Sequence, residues 1–369
     1  MGNRPSALAD QGQSVMNGTL PSAAFWRGRR VLLTGHTGFK GAWTALWLKR
    51  LGAEVTGLAL APAGKPNLFE AAKVANDCRH TTCDLTDRAA VREVIGACRP
   101  DTIIHMAAQA LVRQSYRDPV GTIATNVLGT AQLLDAAAAT GSTKTILVVT
   151  SDKVYANDES GRAFVENDRL GGHDPYAASK AAAEIITASL AQSLLEPTGT
   201  RVATARGGNV IGGGDFSVDR IVPDIWRAAR SEEPLLLRNP GSVRPWQHVL
   251  DCVAGYLRYV EVLAGDADAP RALNIGPLHG RHLTVGEIAT LLLGELGARQ
   301  AWQQEGAGQP KEMATLSIDP GLSRRVLQIA DRWPGRAGLL RAGEWYRRFD
   351  AGEAARTVTV GQIVAYEEG

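Results

Sequence analysis

The sequence is poor in cysteine: its 369 residues include four, Cys78, Cys83, Cys98 and Cys252. None of them forms a C-x-x-C pair, and a chain of this length can bury a core without disulfide bonds. We therefore expect reduced, buried thiols, which are typical of a cytoplasmic protein. Long apolar runs are also missing. Because no stretch of about 18 uninterrupted apolar residues exists, we expect no membrane-spanning helix.

Net charge is small as well. Lys and Arg total 40 against 38 Asp and Glu, and a net charge of +2 gives no general reason to bind nucleic acid or an acidic membrane. Any bound anion must therefore be held by local groups, and we predict no bound metal. The first residues lack the basic start and apolar run of a signal peptide, so residues 1–25 are interpreted as a flexible tail.

What the sequence does contain is an alternation of short β-branched runs with longer helical stretches, starting at Arg30. This pattern is typical of a parallel sheet with crossover helices. The strands are predicted at 30–34, 54–60, 81–85, 101–106, 145–151 and 201–207. The helices between them are predicted from the first turn to about residue 51, and at about 86–98 and 120–139.

The alternation weakens beyond residue 208. Gly-rich loops follow there, with helices predicted near 223–230, 249–263 and 285–296, a short strand at 272–275 and a helical C-terminal stretch. We therefore predict an α/β fold, in which residues 26–208 form a Rossmann-type doubly wound parallel sheet. Residues 209–369 are predicted to form mainly a smaller C-terminal α+β lobe for the substrate, with part of this chain free to return to the first domain.

A glycine-rich turn, GHTGFKG at residues 35–41, joins the first strand to the following helix. Backbone N–H groups and the helix dipole at such a turn can hold a pyrophosphate, and glycines let the backbone approach it. A lone motif of this kind can also be a tight turn, but its position after the first strand favours a dinucleotide site. The predicted cofactor contacts of this turn are Gly35, His36, Gly38, Phe39, Lys40 and Gly41.

The acid that usually binds the ribose hydroxyls about 20 residues further on is absent, because the second strand ends Leu58-Ala59-Leu60-Ala61. This rule therefore leaves NAD and NADP open. Lys40 could meet a phosphate or be a solvated loop lysine. Asp84 could hold the adenine amino group or be an ordinary acid at a helix N-terminus.

Tyr176 and Lys180 lie four residues apart in an alanine-rich helix, so their side chains share one face. A nearby ammonium favours the phenolate, as a base that removes a hydroxyl proton requires. Hydride can then leave the same carbon for a nicotinamide. A Tyr-x-x-x-Lys pattern alone is common, but here it follows the glycine turn and a strand ending at Ser151, which favours the catalytic interpretation.

With these elements the chain resembles the extended short-chain dehydrogenases, and among them the nucleotide-sugar 4,6-dehydratases. The stretches that carry the resemblance are 35–41 with Trp43 and Trp47, HMAAQ at 105–109, SDK at 151–153, 171–180, 206–215, 219–224 and RPWQH at 244–248. The glycine turn and RPWQH are fairly specific to this group, whereas Tyr-x-x-x-Lys marks the whole superfamily. The resemblance covers roughly residues 30–280.

The resemblance implies NAD as the cofactor and a nucleotide sugar, CDP-glucose, as the substrate. By resemblance, Ala107, Ala108 and Gln109 flank the nicotinamide and the sugar, and Asp84 with Leu85 lines the adenine. The residues that the resemblance and the need for a phosphate-binding cation assign to the substrate are Gln109, Asn209, Arg220, Arg244, Gln247, His248 and Asn274.

Ser151, Asp152 and Lys153 are the remaining candidate catalytic residues. Once carbon 4 of the sugar is a ketone, loss of water needs a base at carbon 5 and an acid for the hydroxyl on carbon 6. The resembling dTDP-sugar dehydratases carry Asp-Glu here with Glu as the base, so we assign Lys153 as the base and Asp152 as the acid. The alternative is an ordinary ion pair at the strand end.

Three functions are compatible with this pattern. A dehydratase uses both residue pairs, whereas a nucleotide-sugar 4-epimerase needs Tyr176 and Lys180 but no acid and base beside Ser151. A redox-sensing binding protein needs neither pair. The two intact pairs favour the dehydratase, and the nucleotide base is left to the resemblance.

The resembling family also implies a homodimer or homotetramer, because it pairs the helix that carries Tyr176 with the one before it. Alanines allow such close approach. Those that favour it here are Ala181, Ala182, Ala183 and Ala188.

Overall fold

The computed structural model describes residues 19–231, 233–278, 283–305 and 316–369. The strands in these ranges are β1 (Arg30–Thr34), β2 (Glu54–Ala59), β3 (Arg79–Thr82), β4 (Thr102–His105), β5 (Thr145–Val149), β6 (Arg201–Gly207), β7 (Asn209–Ile211), β8 (Leu235–Leu237), β9 (Trp246–His248), β10 (Ala272–Ile275) and β11 (Trp302–Gln304).

The α-helices in these ranges are α1 (Ala23–Trp26), α2 (Phe39–Arg50), α3 (Leu68–Ala71), α4 (Arg88–Cys98), α5 (Val112–Arg117), α6 (Pro119–Ile123), α7 (Gly129–Thr140), α8 (Pro175–Leu190), α9 (Ile221–Ala229), α10 (Val249–Gly265), α11 (Val285–Glu295), α12 (Gly321–Leu327), α13 (Arg336–Asp350) and α14 (Ala355–Glu368). A π-helical turn, Ala124–Leu128, joins α6 to α7. A second one, Ala191–Leu195, extends α8.

Seven strands of the described chain form one parallel sheet in the order β10-β6-β5-β4-β1-β2-β3. In register, Val31 of β1 lies beside Val55 of β2 on one side and Thr102 of β4 on the other. The strand order therefore reverses at β1, and a crevice opens there at the carboxyl ends of the strands. The predicted Rossmann-type doubly wound sheet is confirmed.

Apolar layers cover both faces of this sheet. Val31 and Leu33 point into the layer formed with α2 and α10, whereas Leu32 points into the layer formed with α4 and α7. A strand that is buried on both faces needs an unbroken apolar run, as the sequence of β1 has. Burial on both sides thus explains why the central strands could be read from the sequence.

The chain returns to the main sheet after leaving it. The strand predicted at 272–275 for the smaller lobe is β10, which pairs in parallel with β6, with Ala272 beside Thr204. Helix α10 packs against β5 and β6. The prediction left open that part of the later chain returns to the first domain, and the structure shows this return. Strand β10 forms an edge of the sheet.

Two small parallel pairs, β7 with β9 and β8 with β11, lie outside the main sheet. Helix α11 packs against both α9 and α13 in this smaller part. An aromatic cluster stabilises it, in which Phe216 contacts Trp226, Trp345 and Tyr346. Among the described residues, no helix has the length and apolar character needed to cross a membrane.

The predicted flexible tail is partly corrected by the structure. Residues 1–18 lie outside the described residues, but residues 19–25 are held against the body of the protein. The backbone N–H of Thr19 donates to the carbonyl of Gln328 at 2.7 Å. The backbone N–H of Ser22 and the indole of Trp26 both donate to Glu261 Oε1 at 2.7 Å. This segment is fixed because Trp26 is fully buried.

The C-terminal helix α14 packs against the first helix of the sheet domain, α2. The indole of Trp47 donates to Glu367 Oε1 at 2.9 Å, and the ring of Tyr366 contacts Trp47 edge-on. On α2, the indole of Trp43 also donates to the carbonyl of Gly213 at 3.0 Å. Helix α2 is thus covered by two distant segments of the chain.

Candidate active site

A cavity of about 480 Å³ opens at the carboxyl ends of the sheet strands, facing the loops that follow β6. It brings together most of the residues predicted for the site. The predicted residues that line it are Gly35, Gly38, Phe39, Lys40, Gly41, Asp84, Leu85, Ala107, Ala108, Gln109, Ser151, Asp152, Lys153, Tyr176, Lys180, Asn209 and Arg220.

The glycine turn between β1 and α2 fits a dinucleotide pyrophosphate. Gly35 has φ +76°, and a Cβ at Gly41 would come within 2.1 Å of the Gly35 carbonyl oxygen, so a larger residue does not fit there. Helix α2 is capped by Gly38 without a side-chain hydrogen bond, and its first turn carries no acid. The first N–H groups of α2 are therefore available to an anion.

His36 lies beneath this turn and is fully buried outside the cavity lining. A hydrogen bond of 2.7 Å joins its Nε2 to His80 Nδ1. Burial, with His80 beside it, lowers the pKa of His36 to about 4, so the ring is neutral at neutral pH. His36 supports the turn from below, and its neighbour Thr37 lines the cavity in its place.

The end of the cavity beyond β2 and β3 is the predicted adenine side. Asp84 Oδ1 accepts hydrogen bonds from the backbone N–H and the hydroxyl of Thr86, both at 2.9 Å. The predicted third strand, 81–85, is β3 at 79–82, so Asp84 and Leu85 lie in the loop past its end. The hydroxyl of Thr37 donates to the Leu60 carbonyl at 3.0 Å and fixes the end of β2.

Tyr176 and Lys180 lie in the first turns of α8, whose N-cap Asp174 accepts a hydrogen bond from the Ala177 N–H at 2.9 Å. Lys180 is buried, and its ammonium donates to the Val149 carbonyl at 2.9 Å. Burial, together with the positive charge of Lys40, lowers the pKa of Lys180 to about 8. The ammonium is therefore fixed in place, and the protonated form still predominates at neutral pH.

Ser151, Asp152 and Lys153 follow the end of β5 and form a short helical turn. The Ser151 hydroxyl donates to Asp152 Oδ1 at 2.9 Å, and Lys153 Nζ lies 3.6 Å from the same oxygen. Asp152 is 2% exposed, and within the described part of the chain its Oδ2 has no hydrogen-bond partner. One oxygen of this buried carboxylate, in the wall of the cavity, is thus left without a hydrogen bond to the described chain.

The predicted substrate residues in the lining differ in their surroundings. Gln109 uses its amide to fix its own loop, since it donates to the Leu111 carbonyl at 3.1 Å and accepts from the Leu111 N–H at 2.7 Å. Asn209 Nδ2 is buried and has no partner within the described chain. Arg220 donates to the Ala110 carbonyl at 3.1 Å. Asn209 and Arg220 are therefore better placed than Gln109 to bind a ligand.

The other predicted substrate residues lie outside the cavity lining. Asn274 is fully buried, and its amide accepts from Tyr155 and donates to the carbonyls of Phe164 and Asp319. Gln247 donates to Asp331 at 3.0 Å. This placement does not support a direct ligand contact for either side chain.

His248 and Arg244 also lie outside this lining. His248 packs between the rings of Trp43 and Trp333, and burial lowers its pKa to about 3. Arg244 is half-buried and donates to the Val243 carbonyl at 2.9 Å. The RPWQH segment therefore leads into β9 and ends at the N-cap of α10 beside the core, with no side chain in the cavity wall.

Several lining residues were missed by the sequence analysis. Met106, Thr150 and Gly208 come directly after a strand of the parallel sheet, where ligands of such sheets bind. For these three, the strand ends were the signal that could have found them. The missed lining residues include Met106, Thr150, Gly207, Gly208, Asp215 and Ser217.

Comparisons with known proteins agree with this geometry. Residues 31–276 match the sequence model of the NAD dependent epimerase/dehydratase family. Over 335 residues, 89% of this chain and 93% of the relative, the chain is 38% identical to the CDP-glucose 4,6-dehydratase of Salmonella typhimurium. Over 324 residues, 86% of this chain and 94% of the relative, it is 30% identical to the dTDP-glucose 4,6-dehydratase of Streptomyces griseus.

Solved structures are similar over most of the chain. The dTDP-glucose 4,6-dehydratase of Streptomyces venezuelae, solved with NAD bound, superposes with a TM-score of 0.74 at 27% identity, over 88% of this chain and 98% of that one. The UDP-glucose-4-epimerase of Stenotrophomonas maltophila, also with NAD, superposes with a TM-score of 0.77 at 20% identity, over 88% and 100%. The chain belongs to the NAD dependent epimerase/dehydratase family.

Proposed function

We propose that the protein is a nucleotide-sugar 4,6-dehydratase that converts CDP-glucose to CDP-4-keto-6-deoxyglucose and water. The observation that carries this proposal is the position of Asp152 and Lys153 in the same cavity wall as Tyr176 and Lys180. An epimerase has no use for the first pair. The 38% identity to a CDP-glucose 4,6-dehydratase supports the choice of nucleotide.

NAD bound along the glycine turn would accept a hydride from carbon 4 of the sugar and return it to carbon 6. The groups of this chain that would hold it are the open N–H groups at the start of α2 and the lining residues beyond β2 and β3. The end of β2 carries neither an acid that would bind the ribose hydroxyls of NAD nor a base that would bind the 2′-phosphate of NADP, and Leu60 there is 57% exposed.

Tyr176 is the proposed base of the oxidation step. It takes the proton of the hydroxyl on carbon 4 while hydride leaves that carbon. Lys180 stabilises the phenolate, and its bond to the Val149 carbonyl holds the ammonium in one position. The buried surroundings of Lys180 increase the strength of this interaction, because water does not screen it.

Lys153 and Asp152 are the proposed base and acid of the elimination. Lys153 takes the proton from carbon 5, and Asp152 gives a proton to the hydroxyl that leaves carbon 6 as water. A proton then returns to carbon 5 when hydride returns to carbon 6. The Oδ2 of the buried Asp152 supports this role, since it has no hydrogen-bond partner within the described chain and lies in the cavity wall, where the sugar would bind.

Arg220 and Asn209 are the proposed ligands of the substrate diphosphate. Both line the cavity, and the planar guanidinium of Arg220 suits a phosphate. Arg220 now donates to a backbone carbonyl, a bond that a diphosphate can replace. The buried Nδ2 of Asn209, which has no partner in the described part of the chain, gains a hydrogen bond in the same exchange.

The proposal is tested by incubating the protein and NAD with the CDP, UDP, dTDP and GDP esters of glucose. We expect a product lighter than the substrate by one water, formed fastest from CDP-glucose. A product of unchanged mass with inverted carbon 4 would show an epimerase instead. Water loss from another nucleotide alone would retain the dehydratase and overturn the choice of CDP.

We also propose that the protein is a cytoplasmic homodimer. Helix α6 packs against α8, and large apolar side chains on these helices and their π-helical extensions face solvent. Their exposed fractions range from 41 to 75%, for Val120, Ile123, Leu128, Ile185 and Leu194. Of the alanines that favoured this contact, Ala181 and Ala183 are buried within the subunit, so the exposed aliphatic residues carry the proposal.

A further inference from the structure

Lys40 does not behave as a solvated loop lysine. Its Nζ lies 3.5 Å from the hydroxyl of Tyr256 on α10 and 5.7 Å from the centre of that ring. The side chain lines the same cavity as Tyr176 and Lys180. Among the described residues, no carboxylate lies within ion-pair distance of Lys40. The charge is therefore directed inward and is not neutralised by a neighbouring acid.

The position of the Tyr256 phenol, which contacts Lys40, depends on the backbone of β6. Tyr256 is fully buried, and a Cβ at Gly207, the last residue of β6, would come within 2.2 Å of its hydroxyl. Glycine at that position is what lets the hydroxyl reach the floor of the cavity. Tyr256 is thus a fixed support for the Lys40 ammonium.

We propose that Lys40 is a positioning residue of the reaction, a second cation that Tyr256 holds in the cavity and that stabilises the Tyr176 phenolate together with Lys180. This inference rests on the proposed function, because it assigns a role within that reaction. It differs from the role that the glycine turn suggests for a lysine, which is to bind the phosphates of the dinucleotide.

The charges around Lys180 support this role. On its own helix Glu184 favours the charged form of Lys180, but Glu184 is neutralised by a bidentate pair with Arg206 of β6. His105 of β4 faces it as a neutral ring, since burial lowers its pKa to about 3. The β5 backbone contributes only the Val149 carbonyl.

Within the described chain, Lys40 on α2 is the neighbouring cation that lowers the pKa of Lys180, in addition to burial. The helical turn packed against α8 adds Asp152 and Lys153, which form an ion pair with each other at 3.6 Å. A second cation next to the pair also stabilises the phenolate of Tyr176. The base is therefore ready at a lower pH than Lys180 alone would allow.

The direct test is titration of Lys180 in the protein without NAD or substrate, followed by NMR of lysine labelled with ¹³C at Cε. The Lys180 signal is assigned by its absence in Lys180→Met. In Lys40→Met we expect the Lys180 midpoint to rise by about one to two units, as for a charge roughly 6–12 Å away at an effective dielectric constant of ~20. Lys40→Arg should keep the wild-type midpoint.

Lys49→Met is the matched control, because Lys49 lies exposed on the same helix and should leave the midpoint unchanged. NAD affinity is measured in the same variants. If Lys40→Met leaves the Lys180 midpoint within about 0.3 units of wild type and weakens NAD binding tenfold or more, Lys40 is a phosphate ligand and the proposal is overturned.

Activity gives a second readout. The acidic limb of the rate against pH should move to higher pH in Lys40→Met by about the same amount as the Lys180 midpoint.

If Lys40→Met does not fold, Tyr256→Phe is the variant that tests the proposal, since it keeps the ring but frees the ammonium. The Lys180 midpoint should again rise, and an unchanged midpoint contradicts the proposal. A wild-type protein that dehydrates no nucleotide sugar would refute the proposed function, while the Lys180 titration would still judge Lys40.

Discussion

At the scale of single residues, two buried cations near the site are held in different ways. Arg206 forms a bidentate pair with Glu184, at 2.7 and 2.9 Å, and also donates to the Tyr155 hydroxyl at 2.8 Å. Lys180, one helical turn before Glu184, has a single carbonyl as its hydrogen-bond acceptor. Arg206 is therefore a structural charge that is paired with an acid, whereas the Lys180 ammonium is held by a carbonyl and keeps its positive charge for the site.

The first prediction concerns the base. Tyr176→Phe should lower turnover by about 10²- to 10⁴-fold, the range for loss of a positioned base, with little effect on folding or NAD binding. Steady-state kinetics and NAD titration measure this. Tyr116→Phe is the control, because Tyr116 is 65% exposed and should retain wild-type turnover. Near-normal turnover of Tyr176→Phe would remove Tyr176 from the mechanism.

The second prediction separates elimination from oxidation. Lys153→Met and Asp152→Asn should lose the 4-keto-6-deoxy product by about 10²-fold or more, because each removes a proton-transfer group. Both should still oxidise the sugar, which is visible as NADH absorbance after substrate is added. Solvent deuterium should also fail to enter carbon 5 in Lys153→Met. If both variants form product at the wild-type rate, the acid and base lie elsewhere.

At the scale of elements, the buried strands were predictable and the exposed strand β3 was not. The limits of β1, β6 and β10 agree with the prediction to the residue, although β10 is an edge strand, because most of β10 is buried. Strand β3 was predicted to begin two residues too late, because its sequence Arg-His-Thr-Thr is polar and mostly exposed. The apolar residues Cys83 and Leu85, which the predicted strand included, lie just beyond it. Strand β3 lacks the two-sided burial on which such predictions depend.

The same limit applies to the candidate site. Residues that follow a predicted strand or form a local motif, such as Ser151 and Tyr176, were brought together as expected. The surroundings of His248 and Asn274 depend on packing against Trp333 and Asp319, which lie far along the chain. No local pattern carries that information, so both were assigned to the substrate on resemblance alone.

The third prediction concerns the turn at the start of α2. Gly41→Ala should abolish NAD binding and lower the melting temperature, because its Cβ would meet the Gly35 carbonyl oxygen at 2.1 Å. Calorimetry and NAD titration measure the two effects. Gly96→Ala on α4 is the matched control, since its Cβ would enter open space and should stabilise the protein by about 0.5–1 kcal/mol. Normal NAD binding by Gly41→Ala would contradict the assigned pyrophosphate site.

At the scale of the whole molecule, the apolar face on α8 gives the fourth prediction. Ile185→Glu should convert a dimer into a monomer, because a charge in a buried contact costs several kcal/mol. Light scattering should then give the 39.2 kDa of one chain, and twice that mass for the wild type. Leu236→Glu, at an equally exposed leucine on β8, should stay dimeric. A monomeric wild type at micromolar concentration refutes the proposed contact.

The contact between α2 and α14 has a consequence for how the protein is made. Helix α2 is synthesised early. Trp47 on this helix contacts Glu367 and Tyr366, which are synthesised more than 300 residues later. The native contacts of this tryptophan are therefore incomplete throughout most of translation. They are complete only when synthesis reaches the last helix.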